Sequence, residues 1–586
     1  MRANVKNYAP PIACAATLLV CYFVIQPYAA IGYADDWSYI KTAQVLAQTG
    51  HIVYNGWAAP MLGWQLYFGA LFIKLFGFSF TAVRFTTVIE AVWTTFLLQR
   101  TFVRAGLNSW NATLATTVFV FSPAYFPLAF TFLTDISGVL CIVTCLYMCL
   151  RALDAGTDNA AMIWISLAAV VNALGGTARQ IAWLGVLVMV PCTLWLLRRR
   201  RRVLIAGSLS WLAGTGFVAA AMQWFAAQPY TIPTSPVPGK IGVASLKYMV
   251  HQAMPSAVLL TRLSLPVLLM FTASLRGWKI RTAAVLGAGF LCFLPQGFDR
   301  LNAKGEVTSP ASYFFGYDTE SPLQKLNEIA TRAIHLPNHD LFGSLLTALS
   351  LLGILGLAVF IFLRMPERPL TRATVDSISW GRLGMVLGPF SAAYIAVLAL
   401  YSLHNAAIFG RYLLPLLVVL LLLLARCYQQ VLNVRLPWAC GLLVMIVAAF
   451  DVVATHDDFV WFRANATAIR EIRSGGVRAT AILGPWEYLG WTQIEGAGYI
   501  NHSAIRIPQG AYKPHLPPAY LANCDPDLDF ILPAVPAIDP AYAVTPDPGW
   551  CGGKVAFPPV LYRTWIAPRA NWIYPVKLPP AAVNLR

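Results

Sequence analysis

Asp35 and Asp36 stand side by side in the stretch Tyr33-Ala34-Asp35-Asp36-Trp37-Ser38-Tyr39, just past the first long apolar run of the chain. Adjacent carboxylates at the edge of apolar sequence need water, a metal or a basic partner. A single carboxylate can take a proton from a hydroxyl, and two or three can share a divalent cation. Other ionisable residues occupy similar borders: Asp135 in Thr134-Asp135-Ile136, Arg179 in Gly175-Gly176-Thr177-Ala178-Arg179-Gln180, and His404 and Arg411 around a late polar stretch. Ionisable groups at membrane depth are usually functional. A guanidinium suits a phosphate, because its fork matches the oxygens and it does not lose its charge. Plainer roles stay open: Asp36 or Asp135 as helix caps, the arginines snorkelling to an interface, and His404 as an interfacial residue. Glu90, inside an apolar segment, receives no role.

The elements that must position these residues are membrane helices. The chain has 586 residues, 58% of them hydrophobic and 11% charged, with mean hydropathy +0.61. An ordinary soluble domain carries about 25% charged residues. Apolar stretches long enough to span a bilayer recur from residue 11 to residue 455, so the chain reads as a polytopic α-helical membrane protein. Continuous runs such as 413–425 exclude a β-barrel. The net charge of +17 does not point to nucleic acid. Its basic residues fall in short loops (198–202, 276–281, 364–372, 426–435), where they mark the cytoplasmic side and can touch anionic lipid head groups.

Placing the N-terminus inside gives about thirteen spans. They are expected at 10–31, 81–98, 112–128, a fourth returning to Arg151 after an outer loop that holds Thr134-Asp135-Ile136, 161–174, a sixth ending at the arginine run 198–202, 203–225, 255–275, 283–293, 341–363, 383–403, a twelfth ending at Arg426 after Gly410-Arg411-Tyr412 outside, and 436–454. Residues 31–80 form a first external loop with two interfacial helices. One starts near Trp37 with an apolar face of Ile40, Ala43, Leu46 and Ala47 and ends at Gly50; the other covers 61–76. Proline-rich 228–239 and 296–340 read as outer loops. The first apolar run reads as an anchor rather than a removable signal. All eight histidines then fall outside, without the close spacing of a metal site, and no internal repeat is visible.

Composition divides the chain into a transmembrane domain, 1–455, and an extracytoplasmic C-terminal domain, 456–586. The latter reads as small and α/β, with helices at 466–473 and 486–494, strands at 479–483 and 530–532, and a proline-rich, loop-like second half. Of 11 cysteines, nine lie in or beside apolar segments, while Cys524 and Cys551 could pair in an oxidising compartment.

The segment from Tyr33 to Arg104 resembles the first part of the GT-C glycosyltransferases, in the protein O-mannosyltransferase and aminoarabinose transferase branch. An acidic pair after span 1 leads to a helix ending in Thr49-Gly50-His51, then an apolar helix with Leu75-Phe76-Gly77, then Val83-Arg84. Thr134-Asp135-Ile136 and Gly410-Arg411-Tyr412-Leu413-Leu414-Pro415 are similar to that family as well. The resemblance implies an inverting transfer of a sugar from a polyprenyl-phosphate donor to an acceptor hydroxyl on the outer side of a plasma membrane. It makes Asp35 the group that activates the acceptor. Asp36 stands where the family often has glutamate. Asp135 is a further catalytic residue, or a ligand with Asp35 to a divalent metal such as Mg or Mn. Arg179 and Arg411 stabilise the departing phosphate, with Tyr39, His404 and Tyr412 as further donor or acceptor contacts. The acceptor, whether lipid, glycan or protein, stays open, as do two rival readings: a transporter or flippase of lipid-linked sugars, and a non-catalytic scaffold with an external binding domain.

Overall fold

The computed structural model describes residues 2–57, 60–232, 241–275, 341–364, 378–404, 407–505, 507–515, 521, 523–525, 527–566 and 570–579. The span expected at 283–293, the outer loop at 296–340 with His335 and His339, the proline-rich residues 233–239, and the basic positions 276–281 and 368–372 lie outside the described residues.

The chain is predominantly helical. α1 (Arg2–Ile25) stops at Ile25 rather than at residue 31, because Gln26 turns to a left-handed φ of 51° before Pro27. α2 (Asp36–Thr49) ends at Gly50, which adopts φ 76° and donates its N–H to the Leu46 carbonyl at 2.9 Å. α3 (Gly63–Phe76) follows, then α4 (Phe80–Arg104), capped by Ser79, whose hydroxyl accepts from the Ala82 N–H at 2.9 Å.

α2 is not a surface helix. Trp37, Ile40 and Ala43 are fully buried, and the polar face meets protein: Lys41 pairs with Glu495 at 3.3 Å and lies over the Trp491 ring. The spacing of apolar residues identified the helix, but not what would cover its other face.

α5 (Ser109–Val120) is shorter than the span expected at 112–128, since the chain turns at Ser122-Pro123. α6 (Thr134–Leu153) and α7 (Asp158–Gly175) are regular. The next segment is broken into a 3-10 turn at Gln180–Trp183, a π turn at Gly185–Met189 and α8 (Val190–Leu196). α9 (Arg201–Ala226) is unbroken. α10 (Val243–Leu263) begins earlier than residue 255 and meets α11 (Leu265–Leu268) and the turns to Leu275 at a 69° bend. Pro266 lies at that bend, where a proline lacks the N–H a continuing helix requires. α12 (Leu341–Val359), α13 (Trp380–Leu403) and α14 (Leu414–Cys427) follow.

The span expected at 436–454 and the helix expected at 466–473 are one helix, α15 (Trp438–Ser474), of 37 residues. At 1.5 Å per residue it is about 55 Å long, well beyond the roughly 30 Å hydrocarbon layer. The boundary expected at residue 455 therefore falls inside a continuous helix. Its polar residues there, Asp457 and Asp458, are held by partners rather than breaking it. Asp457 accepts from the Trp565 and Ile566 N–H groups at 2.7 and 3.0 Å, and Asp458 accepts from the Tyr33 hydroxyl at 2.9 Å.

Among the described residues, seven helices are long and apolar enough to cross a membrane, or eight if the bent pair is one span. The protein is an integral membrane protein, and thirteen long apolar helices are not seen among the described residues. α4 carries Arg84 and Glu90, and α5 and the 180–196 segment are interrupted.

The C-terminal region holds a five-stranded sheet: β1 (Ile482–Leu483), β2 (Tyr542–Thr545), β3 (Lys554–Val555), β4 (Val560–Arg563) and β5 (Ala570–Lys577). β1 runs parallel to β2; β5 pairs antiparallel with β2, β3 and β4. Its proline-rich second half carries four of the five strands, joined by long irregular stretches. β5 accommodates Pro575 opposite Val544. The strand expected at 530–532 is instead helix α17 (Leu528–Ala534), following α16 (Trp486–Ala497). Its start is organised by Asp525, whose carboxylate accepts from the Asp527 N–H at 3.0 Å. A three-residue apolar run cannot distinguish strand from helix. Cys524 and Cys551 form a disulfide with 5.5 Å between Cα atoms.

α2 and the C-terminal region share a core. Trp37 of α2 is fully buried among Ile482, Leu489 and Ile494 of the C-terminal domain. Its ring lies where a Cβ on Gly490 would approach within 2.5 Å, so only glycine fits there without repacking.

Candidate active site

The turn Tyr33–Asp36 closes with an Asp36 N–H to Tyr33 carbonyl bond at 3.2 Å. Ala34 occupies it with φ 49°, a strained conformation for a residue with a Cβ and one that favours functional sites. The two aspartates that follow meet different surroundings.

Asp36 is fully buried. Its Oδ2 accepts from Arg84 Nε at 2.7 Å and from the Phe132 N–H at 3.3 Å; its Oδ1 accepts from Arg84 Nη2 at 3.1 Å and the Tyr33 N–H at 2.7 Å. Four donors leave no open position for an acceptor hydroxyl. The expectation that Asp36 is catalytic, or that it caps α2, gives way to a structural role: its carboxylate joins α2, α4 and the backbone before α6. Arg84, the partner, stands in the Val83-Arg84 pair of the sequence.

Asp35 is half-buried at the N-cap position of α2 and its side chain makes no cap bond. Its Oδ1 accepts from the Trp57 indole N–H at 2.8 Å. Trp57 in turn packs against Trp486 of α16, with ring centroids 4.9 Å apart. The loop carrying Trp57 is tied to α2 through Asn55, which donates to the Ser38 carbonyl at 2.9 Å and accepts from the Ser38 hydroxyl at 2.9 Å. Trp57 and Asn55 were not singled out in the sequence; only their position between two interfacial helices hints at them.

Asp135 begins α6 and is 5% exposed. Arg179 Nη2 lies 3.2 Å from its Oδ1, and Arg411 Nε lies 3.8 Å from its Oδ2. Arg179 Nη1 also donates to the Thr134 hydroxyl at 3.0 Å. Gly138, one helical turn beyond Thr134, lets the Arg179 stem lie across α6: a Cβ there would come within 3.1 Å of it. Asp135 is therefore not a free helix cap. It holds two guanidiniums with one negative charge. Arg411 Nε is buried without a hydrogen-bond partner. Such an atom costs free energy unless something accepts from it.

Tyr412 lies beneath both cations: Arg179 is 5.0 Å and Arg411 5.5 Å from its ring centroid. Its backbone carbonyl accepts from the Tyr394 hydroxyl at 2.8 Å. A narrow cavity of about 10 Å³ lies here, lined by Asp135, Arg179, Arg411, Tyr412 and Tyr394 among others. Tyr39 is buried within the field of the same groups. Burial and the neighbouring Asp35 raise its phenol above the ordinary range, with Arg179 and Arg411 opposing them. Burial works against the Arg179 charge, but Asp135 together with Tyr412 and Tyr39 outweighs it and holds the guanidinium above its usual value. Asp35 also acts electrostatically on Arg411, which places it at the rim of this cluster. His404 ends α13 exposed and does not line the cavity.

Among the described residues, no group of three or more His, Cys, Asp or Glu side chains converges. Asp135 is already matched by two guanidiniums, whose charge repels a cation. The paired Asp35 and Asp135 site expected for Mg or Mn does not fit this donor set.

Every member of the cluster sits where a helix starts or a turn interrupts it, and at one end of the bundle. The opposite end of α6 meets Arg104, which pairs with Asp154 at 2.9 Å, and Arg200, which donates to the Ala155 carbonyl at 2.8 Å. The sequence thus brings Asp35, Asp135, Arg179, Arg411, Tyr39 and Tyr412 together, and leaves His404 aside.

No curated protein sequence matches the chain. Solved structures show weak likeness. The ArnT structure from Cupriavidus metallidurans bound to undecaprenyl phosphate aligns over 97% of this chain and 98% of that one, at 13% identity and TM-score 0.38. The arabinosyltransferase EmbB from Mycobacterium smegmatis aligns over 79% and 44%, at 14% identity and TM-score 0.35. The Archaeoglobus fulgidus oligosaccharyltransferase in complex with Zn and sulfate aligns over 91% and 68%, at 13% identity and TM-score 0.38. By sequence, residues 58–225 match the family model of the dolichyl-phosphate-mannose-protein mannosyltransferases. That match overlaps the segment 33–104 and takes in Asp135 and Arg179, so the resemblance to the GT-C glycosyltransferases holds on independent grounds.

Proposed function

We propose that the protein is an inverting glycosyltransferase that moves a sugar from a polyprenyl-phosphate donor to an acceptor hydroxyl on the extracytoplasmic face. The observation that carries this reading is the buried Arg411 Nε without an acceptor, beside Arg179 and above Tyr412. As the bond from sugar to phosphate breaks, negative charge grows on the phosphate oxygen. A preorganised cation stabilises that charge more than it stabilises the intact donor. Arg411 and Arg179 take the phosphate in this scheme, and Asp135 holds both in place. Asp35 takes the proton of the acceptor hydroxyl as that oxygen attacks the anomeric carbon from the face opposite the phosphate. The bond to the acceptor forms as the bond to phosphate breaks, and the anomeric configuration inverts. Tyr39, kept a phenol, can donate to a sugar or phosphate oxygen.

The disulfide of the C-terminal domain supports its placement in an oxidising compartment, outside the plasma membrane. Named partners of similar proteins fit the scheme: ArnT was solved with undecaprenyl phosphate, and the archaeal oligosaccharyltransferase AglB with a dolichol phosphate. The test is to incubate the purified protein with a panel of polyprenyl-phosphate sugars and to follow release of polyprenyl phosphate. Release from at least one donor supports transferase chemistry. Movement of donors across vesicles without release from any would support the flippase reading instead.

A further inference from the structure

A second cavity, of about 550 Å³, lies between the tail of α1, the start of α4 and the part of α15 beyond its apolar half. It shares no lining residue with the cavity at Arg179 and Arg411. Its size is that of a ligand pocket. We propose that it binds the phosphate head group of an anionic membrane lipid.

Three features of the cavity select an anion. Arg463 and Arg470 stand seven positions apart on α15, two turns along one helix face, and both line the cavity. Arg463 is anchored, donating through Nη1 to the Gln26 carbonyl at 2.6 Å and the Tyr28 carbonyl at 3.3 Å. The Arg470 side chain is exposed and makes no hydrogen bond or ion pair with the described residues. The N-terminus of α4 also points here. Ser79 caps the Ala82 N–H, and the Val83 N–H bonds the Ser79 carbonyl, which leaves the Phe80 and Thr81 N–H groups for a ligand. The lining includes no carboxylate: its other polar side chains are the hydroxyls of Tyr28, Ser79, Thr81 and Thr467.

The surroundings select a lipid over a soluble anion. α1 is a candidate span whose last turns expose Val20 and Phe23, and its tail supplies Tyr28 to the cavity. On the other flank, Leu75 and Phe76 at the end of α3 are 64% and 69% exposed, and Phe78 lines the cavity. Apolar side chains on both flanks at the end of a membrane helix suit acyl chains, and the arginines then meet the head group at the interface. The backbone at Ala29 separates this cavity from the core. Ala29 lines it, while its carbonyl accepts from the buried Arg84 at 3.4 Å. A bound head group therefore braces the segment that leads into the Tyr33–Asp36 turn.

The test uses the full chain in vesicles of phosphatidylcholine, with and without phosphatidylglycerol, and native mass spectrometry of the lipids it retains. Arg470→Gln removes one charge-assisted contact and is expected to weaken phosphatidylglycerol retention about tenfold, with phosphatidylcholine retention unchanged. Thr467→Glu, which places a negative charge in the cavity, is expected to do the same without touching either arginine. Inorganic phosphate is expected not to displace the lipid. Unchanged phosphatidylglycerol retention in folded Arg470→Gln and Thr467→Glu proteins would overturn the proposal. So would its ready displacement by inorganic phosphate, which would identify a site for soluble anions. Neither readout depends on sugar transfer.

Discussion

Arg84 and Asp36 form a buried ion pair, Nε to Oδ2 at 2.7 Å, with side chains 3% and 0% exposed. This pair separates the roles of two neighbouring carboxylates. Asp36 is consumed by structure, whereas Asp35 is half-buried and accepts from the Trp57 indole. Removing one member of a buried pair strands the other charge, at a cost of about 3–5 kcal/mol. Asp36→Asn is therefore expected to lower thermal stability and the yield of folded protein, whereas Asp35→Asn is expected to leave both near wild type. Thermal melts in detergent compare the two directly. A melt of Asp36→Asn indistinguishable from wild type would contradict the structural role.

Arg411→Gln and Arg179→Gln probe the phosphate site. Loss of one preorganised donor to a charge that grows in the transition state typically lowers the rate by about 10²–10³-fold. Arg411, whose Nε lacks a hydrogen-bond partner, is expected to affect kcat more than donor affinity. Arg179→Gln also frees a charge on Asp135, so it is expected to reduce stability as well. Steady-state kinetics on both variants separates these effects. A pure rise in KM for Arg411→Gln would assign that residue to ground-state binding alone.

The sequence located much of this. Helical spacing identified α2 and its Gly50 stop, and basic loops sorted helix ends well enough to bring Asp35, Asp135, Arg179 and Arg411 into one cluster. Three kinds of information were not legible. Which carboxylate of the pair is buried depends on Arg84 reaching across from α4, a tertiary contact that neither residue type nor spacing encodes. The covering of α2 depends on Trp37 entering the core of a domain more than 400 positions away, beside Leu489 and Ile494. The continuity of α15 was obscured because Asp457 and Asp458 resemble the end of a span. They are satisfied by Trp565, Ile566 and Tyr33 instead.

The Trp37 contact offers a test of how the C-terminal domain supports the site. Gly490→Ala puts a methyl group 2.5 Å from the Trp37 ring. Overpacking of this kind costs about 1–3 kcal/mol. It should also shift Trp486 and with it Trp57, the partner of Asp35. The expected outcome is a lower melting temperature together with a reduced transfer rate. Full activity in a destabilised Gly490→Ala protein would show that the domain contact does not position Asp35.

His502 gives a pH signature. Its ring packs edge-on to Trp57 at 5.7 Å, and burial holds its pKa below the ordinary 6.5. As pH falls through 6.5, the unfolded chain takes up a proton that the folded chain does not, so this residue removes stability on acidification. Melting temperatures across that range should fall less steeply for His502→Asn than for wild type. Equal slopes would show that His502 carries no such penalty.

The central claim is that Asp35 activates the acceptor while Arg179 and Arg411 take the leaving phosphate. The most direct measurement is transfer by purified Asp35→Asn protein, with a donor accepted by the wild type, scored as glycosylated acceptor. The account predicts loss of transfer by at least about 10²-fold, in line with removal of a general base, with an unchanged melt and retained polyprenyl-phosphate binding. Transfer at the wild-type rate by Asp35→Asn would contradict it.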